Sequence, residues 1–329
     1  MTELIKIATR GSKLALWQAN FVSSLLQDLG LKTELKIIKT HGDRVQDRFL
    51  HEMGGKGVFV KELEQAMLDG EVDIAVHSLK DLPAVTPAPF ALPAILKRHN
   101  PCDAIVFKPE SFSRFDIKDQ VLSKDHFQDM GPVTIATSSL RRQSLFRGTS
   151  PDIKLEAVRG NVDTRLRKLM EGDWDALILA AASLERLNIV DVHHCFIDPE
   201  WYVPCAAQGA LAIECREDHP LINQIGKLKD PITHRCATLE RKILERLGGD
   251  CTMPFGAHIS SMMNATVVRS LVLDYKGNEA RSYQTYDKNI LDLNGEMIVD
   301  EAVAGLTKMG LEPILKAIEV EVPDLGTLT

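Results

Sequence analysis

The sequence predicts an α/β protein of several domains that ends in a smaller α+β domain. Three observations predict it. Short apolar runs alternate with helical stripes through the first third of the chain. Parts of that third recur more than a hundred residues later. The last third changes character, with a hairpin signal between helical patterns. A chain of 329 residues, 44% hydrophobic and 26% charged, has an ordinary globular composition and room for two or three domains.

The first run, Leu4–Thr9, reads as a strand. Ser12 can cap the next helix, in which Leu14, Trp17, Phe21, Leu25 and Leu29 share a face and which Gly30 stops. A second strand is expected over 35–40. A second helix carries Val60, Leu63 and Met67 and ends near Gly70, before a strand over 73–78. The intervening stretch 41–57 is polar, lacks either period and ends in Gly54-Gly55-Lys56-Gly57. It reads as a loop, either a lid over a site or a plain surface segment.

Lys6-Ile7-Ala8-Thr9-Arg10-Gly11-Ser12 resembles Thr134-Ile135-Ala136-Thr137-Ser138-Ser139, and Gly70-Glu71-Val72-Asp73-Ile74-Ala75 resembles Gly172-Asp173-Trp174-Asp175-Ala176-Leu177. Two related α/β domains account for this; chance recurrence of a common helix–glycine–strand junction competes. Pro83, Pro87, Pro89, Pro93 and Pro101 mark a crossing between those domains. The polar stretch 108–131 reads as an insertion in the second. In the last third, Leu239, Ile243 and Leu247 form a helix, and 266–274 and 281–286 flank Lys276-Gly277-Asn278 as a hairpin. Helices are expected over 296–309 and 312–318.

A formal net charge of −7 disfavours a nucleic-acid partner. No stretch approaches the roughly 20 apolar residues of a membrane span, and the first residues show no secretory signal. The six cysteines (Cys102, Cys195, Cys205, Cys215, Cys236, Cys251) contain no Cys-x-x-Cys pair, so neither a metal site nor a disulfide framework is indicated. A reduced, cytoplasmic protein is expected.

Arginines recur where strands hand over to helices. Arg10 follows the first strand. Arg141 and Arg142 follow Ile135-Ala136-Thr137 and the hydroxyls of Ser138 and Ser139. Arg159 precedes Gly160-Asn161, and Arg165 lies one turn into the next helix. A cation in a helix's first turn opposes the helix dipole, so this repeated placement points to an anion to be bound; the competing reading is that these arginines are solvated or pair with Asp and Glu. Such junctions lie at the carboxyl ends of strands, where α/β sheets bind ligands. The expected ligand is small and carries several carboxylates or phosphates. His77-Ser78-Leu79-Lys80-Asp81-Leu82-Pro83 ends a strand. Asp81 there could stabilise a cation and move protons, or simply cap the turn before Pro83. In Gly248-Gly249-Asp250-Cys251 the cysteine sits in a loop, either reachable and nucleophilic or an inert small hydrophobe.

Taken together, Ile7-Ala8-Thr9-Arg10, the run 54–62, the run 73–81, Thr137-Ser138-Ser139-Leu140-Arg141-Arg142, Arg159-Gly160-Asn161-Val162, Gln208-Gly209-Ala210 and Gly248-Gly249-Asp250-Cys251 resemble the porphobilinogen deaminase family in order and spacing. The resemblance covers nearly the whole chain and is weakest after about residue 260. It implies two α/β domains like those of periplasmic binding proteins, 1–98 (with a returning segment, 204–226) and 99–203, and a small α+β domain, 227–329, that attaches a cofactor. It implies a transferase that condenses four porphobilinogen molecules with loss of ammonia, through an electrophilic azafulvene, and then releases linear hydroxymethylbilane. It implies a dipyrromethane cofactor in thioether linkage to Cys251, with Asp81 as the catalytic carboxylate, expected to be buried. Arg10, Arg141, Arg142, Arg159 and Arg165 match positions that bind the acetates and propionates of the pyrroles. Ser12, Lys80, Thr137, Ser139 and Gln208 match supporting positions, and Arg186 and Arg241 lie where further family arginines do. A monomer is expected.

The sequence departs from some relatives at Glu52, in place of a basic residue, at His41, in place of arginine, and at Cys205-Ala206-Ala207 before Gln208; Cys205 reads as structural. A binding protein for a small anion would share the junction arginines but carry no covalent adduct. A phosphate-handling transferase lacks support from any Gly-rich phosphate loop.

Overall fold

The computed structural model describes residues 4–40, 60–115, 117–250 and 253–320. Three sheets organise them. The first has the strand order β2-β1-β3-β11-β4, from β1 (Leu4–Thr9), β2 (Lys32–Ile37), β3 (Ile74–Ser78), β4 (Phe90–Ile95) and β11 (Leu211–Arg216). The second has the order β6-β10-β5-β9-β7-β8, from β5 (Asp103–Phe107), β6 (Val121–Leu122), β7 (Val133–Ala136), β8 (Ile153–Glu156), β9 (Ala176–Ala180) and β10 (His193–Ile197). The third is antiparallel: β12 (Phe255–Met262), β13 (Ala265–Leu273) and β14 (Glu279–Tyr286).

The internal repeat is real and has a backbone cause. β1 lies parallel between β2 and β3, as β7 lies between β8 and β9. Ile7-Ala8 stands opposite Ile74-Ala75 on one side and Leu35-Lys36 on the other. Ile135-Ala136 stands opposite Ala176-Leu177 and Leu155-Glu156 in the same way. The aspartate that opens the third strand of each set plays the same part: Lys6 N–H donates to Asp73 Oδ2 at 2.7 Å, and Thr134 N–H donates to Asp175 Oδ2 at 2.8 Å. Each carboxylate satisfies an N–H that a strand end leaves unpaired. Beyond β3 lies antiparallel β11, and beyond β9 lies antiparallel β5. Thus each set of three is closed by the strand through which the chain arrives from the other sheet.

Several expectations shift. The second strand runs over Lys32–Ile37, not 35–40, because it pairs with β1 from Leu4↔Lys32 onward. In helix α1 (Lys13–Asp28) the deepest face is Gln18, Ala19, Val22, Ser23 and Leu26, one residue beyond the apolar stripe read from sequence. Part of that stripe packs elsewhere. Trp17 stacks on Phe21 at 5.2 Å, and both meet His99 edge-on. Helix α2 (Lys61–Leu68) buries Leu63 and Met67 as expected, and Val60 is buried at its N-cap. The proline-rich segment is more than a crossing, since it contains β4 at a sheet edge, where Pro93 costs no ladder hydrogen bond. The stretch 108–131 holds helix α3 (Pro109–Arg114), edge strand β6 and helix α4 (Lys124–Asp129), and it buries Phe127 against Phe146. Strand β12 is not foreseen from sequence, because His258, Ser260 and Ser261 break its apolar pattern.

Four further helices flank the second sheet and close the first: α5 (Leu140–Arg147), α6 (Val162–Glu171), α7 (Ala181–Arg186) and α8 (Ile222–Ile225). Helix α9 (Pro231–Arg246) covers the third sheet with α10 (Gly295–Lys308) and α11 (Leu311–Val320). From α9, Glu240 is fully buried and ties the units together. It accepts from Arg98 Nη2 at 2.9 Å, Ala207 N–H at 2.7 Å and Ile259 N–H at 2.7 Å.

Candidate active-site cleft

The carboxyl ends of β1, β3, β7 and β8 carry the predicted residues. At the end of β1, Ser12 caps α1 by accepting from Ala15 N–H at 3.3 Å, and Arg10 stands half-buried beside it. At the end of β3 a 3-10 turn, Leu79–Asp81, presents Lys80 and Asp81. Leu79 is fully buried, which anchors the turn.

From the second sheet, β7 leads through Thr137, Ser138 and Ser139 into α5, and β8 leads through Arg159 into α6. Neither N-cap residue, Ser139 nor Asn161, bonds its own helix through its side chain. Both helices therefore open with first-turn N–H groups that can face an anion. Ser138 instead ties the two junctions together, donating to Val158 O at 2.5 Å and accepting from Val158 N–H at 2.9 Å. Thr137 is buried, and its hydroxyl accepts from Ser139 N–H at 3.3 Å. Gly160 adopts φ +116°, and a side chain there would strike Thr164, so the Arg159-Gly160-Asn161 turn requires glycine.

Charged groups of the two sheets act on one another. Burial, together with the neighbouring Arg142 and Arg159 guanidiniums, pulls Arg165 down to about 10, against which the charge of Asp81 acts from the first sheet. Burial likewise lowers Arg186 to about 10, again opposed by Glu185 and Asp81. Burial and Arg10 lower Arg159. Burial lowers Lys80 as well, offset chiefly by Asp81, while Arg142 adds to the lowering. Cations from both sheets are thus crowded and partly dried, a costly arrangement that carboxylates would relieve.

Two expectations need correction. Asp81 is exposed, not buried, so its influence on Lys80, Arg165 and Arg186 acts from the rim of the cleft. Arg141 is already committed within the protein. Its Nη2 donates to Asp103 Oδ2 at 2.6 Å, its Nη1 donates to Val203 O at 2.9 Å, and its guanidinium lies over the Tyr202 ring at 4.7 Å. Arg142 shares Asp103, donating to Oδ1 with one nitrogen and to Ile178 O at 2.8 Å with another; its Nε has no partner. The two guanidiniums hold the Asp103 carboxyl well below the usual carboxylate range despite its complete burial.

Sequence reasoning missed Asp103, and also the buried pair of His77 Nε2 and Glu214 Oε2 at 2.9 Å. Each is an unremarkable residue until its partner strand is known. Arg186 donates to Gly209 O at 2.8 Å, and Arg241 donates to Pro83 O at 2.5 Å just after Asp81. Residues 41–57, including His41 and Glu52, and Cys251 lie outside the described residues. In the five described cysteines, all free, burial pushes the thiol up: Cys102 and Cys195 to about 11, Cys215 and Cys236 to about 12, and Cys205 upward too. None is a ready nucleophile. No group of acidic, histidine and cysteine side chains among the described residues could hold a metal ion.

Residues 5–224 match the family model described as "Porphobilinogen deaminase, dipyromethane cofactor binding domain". The chain is similar to the porphobilinogen deaminase of Sulfurimonas denitrificans, 43% identical over 83% of this chain and 84% of the relative. It is similar to that of Nitrosomonas europaea, 38% identical over 95% and 98%. It is similar also to that of Legionella pneumophila strain Lens, 41% identical over 96% and 98%. Among solved structures, a periplasmic substrate-binding protein of an ABC transporter from Coxiella burnetii matches with a TM-score of 0.40 at 12% identity, covering 74% of this chain and 97% of that one. The doubling of the fold is seen in the strand registers of its first two sheets.

Proposed function

The chain belongs to the porphobilinogen deaminase family, and on that premise we propose how its own residues carry the activity. The reaction joins four porphobilinogen molecules head to tail, with loss of ammonia from each, and releases linear hydroxymethylbilane by hydrolysis. One observation carries the assignment of residues. Lys80, in the first-sheet turn that also bears Asp81, bonds Gln208, whose amide bonds Asp103 beside Arg141 and Arg142 of the second sheet, so a ligand between the sheets meets one carboxylate and a bank of cations.

The donor set fits a dipyrromethane. Arg10, Arg142, Arg159 and Arg165 supply fixed positive charge for acetate and propionate groups; Ser12, Thr137 and Ser139 lie at the same junctions, Lys80 in the turn after β3, and Gln208 on the returning segment, bonded to Lys80. Arg141 supports Arg142 from behind through their common Asp103. When bound, the dipyrromethane supplies the free pyrrole carbon at which chain growth starts. Cys251 is the residue proposed to hold it, and the raised thiols of the other five cysteines support that choice. The cations orient each substrate by its two carboxylates. Asp81 is the group proposed to stabilise positive charge on the pyrrole nitrogen and to hand a proton to the departing amine.

The same reading divides the chain into 1–98 with 204–226, 99–203 and 227–329. The three separate sheets support that division. It also describes a cytoplasmic monomer. No described helix is long and apolar enough to cross a membrane, and the acidic net charge supports the absence of a nucleic-acid partner.

The test is intact mass of the purified protein. The wild type carries the mass of a dipyrrole, and Cys251→Ser folds without it. Retention of the adduct by that variant removes Cys251 from the assignment.

A further inference from the structure

Asp103 is a fully buried carboxylate at the first residue of β5, where the chain enters the second sheet. Besides the two arginines it accepts from Gln208 Nε2 at 3.1 Å. Gln208 lies on the returning segment, just before β11. The same amide nitrogen donates its other hydrogen to Pro101 O at 2.7 Å. Both amide hydrogens are therefore committed, and the amide oxygen must face the other way. There it accepts from Lys80 Nζ at 3.2 Å. A flipped amide would set its oxygen against the Asp103 carboxylate and its hydrogens against the Lys80 ammonium, so the two charges lock a single orientation.

The relay crosses the junction between the two sheets without a gap. His99 N–H donates to Gly209 O at 3.0 Å, and Leu96 N–H donates to Leu211 O at 2.9 Å, so the two crossing segments run side by side. Gly209 adopts φ +86°, and a side chain there would fall 2.6 Å from His99 O. Only glycine permits the approach that brings Gln208 to both Asp103 and Lys80.

We propose that Asp103 is a positioning residue: through Gln208 it fixes Lys80, and so the Lys80-Asp81 turn of the first sheet, relative to the arginines of the second. The inference rests on the reading of that turn as catalytic. Its consequence is that one buried carboxylate sets the geometry of both halves of the site, since the same two oxygens orient Arg141, Arg142 and Gln208. The groups acting on Lys80 are Asp81 in its own turn, Arg142 on α5, Asp103 on β5, and Cys205 and Gln208 on the returning segment. Removing the charge of Asp103 takes away one of the few groups favouring the ammonium.

The experiment compares holoenzyme carrying Asp103→Asn, Gln208→Met or both, each checked for its dipyrrole by intact mass. In both single variants kcat falls about 10²-fold, the scale of loss expected from a misplaced catalytic group; KM is little changed in Gln208→Met and rises in Asp103→Asn, which also frees Arg141 and Arg142. The alkaline limb of the pH–kcat profile moves to lower pH, and Asp103→Glu returns it toward the wild-type position. The double variant is no slower than Asp103→Asn alone, because Asp103→Asn already cuts the path through Gln208. A double-variant loss equal to the product of the single losses overturns the relay. So does an Asp103→Asn protein that melts lower yet keeps wild-type kcat and pH profile, which is the signature of a purely structural role. If Asp103→Asn does not fold, Gln208→Met decides alone: unchanged kcat and pH profile overturn the proposal. A wild-type protein without dipyrrole and without ammonia release from porphobilinogen overturns the underlying functional reading instead.

Discussion

The first and second sheets share a backbone plan but handle buried charge in opposite ways. In the first, the charged groups between β3 and β11 are His77 and Glu214, which bond each other at 2.9 Å and leave the adjacent Lys80-Asp81 turn outside the pair. In the second, Asp103 on β5 draws in two arginines from α5 and an amide from the returning segment. The difference divides the labour of the cleft. The first sheet keeps its carboxylate, Asp81, at the exposed rim, while the second makes its cations rigid. A bank of arginines can bind anions repeatedly only if it does not collapse onto surface carboxylates, and an internal counter-ion prevents that.

The largest effect that would sharpen this contrast is on turnover. Asp81→Ala keeps the bound dipyrrole but loses on the order of 10²–10⁴-fold in kcat, the usual contribution of a positioned acid or base. Steady-state rates and intact mass check it, and a near-normal kcat would return Asp81 to the role of a turn residue. Next, Arg141→Leu strips Asp103 of one partner in a dry site, and denaturant unfolding should register a loss of about 3–5 kcal/mol. An undiminished midpoint would mean that Arg141 does not support Asp103 and Arg142. The smallest effect belongs to the first sheet. Glu214→Gln keeps an acceptor for His77 and should cost only about 1–3 kcal/mol. If it matches Arg141→Leu, the two sheets do not differ in this way.

The contrast also has a pH signature. Asp103 titrates lower in the folded protein than in the unfolded chain, so the unfolded state binds more protons as pH falls. The stability from this group is complete above about pH 5 and drains away as the pH drops toward its folded value. Acid unfolding of Arg141→Leu should show a shallower loss across that range than the wild type. An identical acid limb would remove Arg141 as the principal partner.

Much of the plan is legible along the chain. The repeat of Ile7-Ala8 and Ile135-Ala136, with an aspartate opening each third strand, predicts two related α/β units. The register of β1 against β3 and of β7 against β9 carries the same pattern. Junction arginines are legible because a cation in a helix's first turn is unfavourable without an anion. The apolar stripe of α1 and its deepest face differ by one residue because Trp17 and Phe21 pack on His99 as well as on the sheet. Asp81 is exposed where burial was expected because a strand's end is visible in sequence while its depth is not.

By itself the sequence determined the alternation of strands and helices and the placing of basic side chains at strand ends, which follow from neighbours a few residues apart, and the doubling of the α/β unit, which follows from a local pattern that recurs. Only the tertiary structure decided that Asp103 takes Arg141 and Arg142 from 38 and 39 residues away, that Glu240 gathers Arg98, Ala207 and Ile259, and that Gln208 reaches Lys80. The partner of a buried charge is chosen by which strands become neighbours, and that choice is made by packing, not by periodicity.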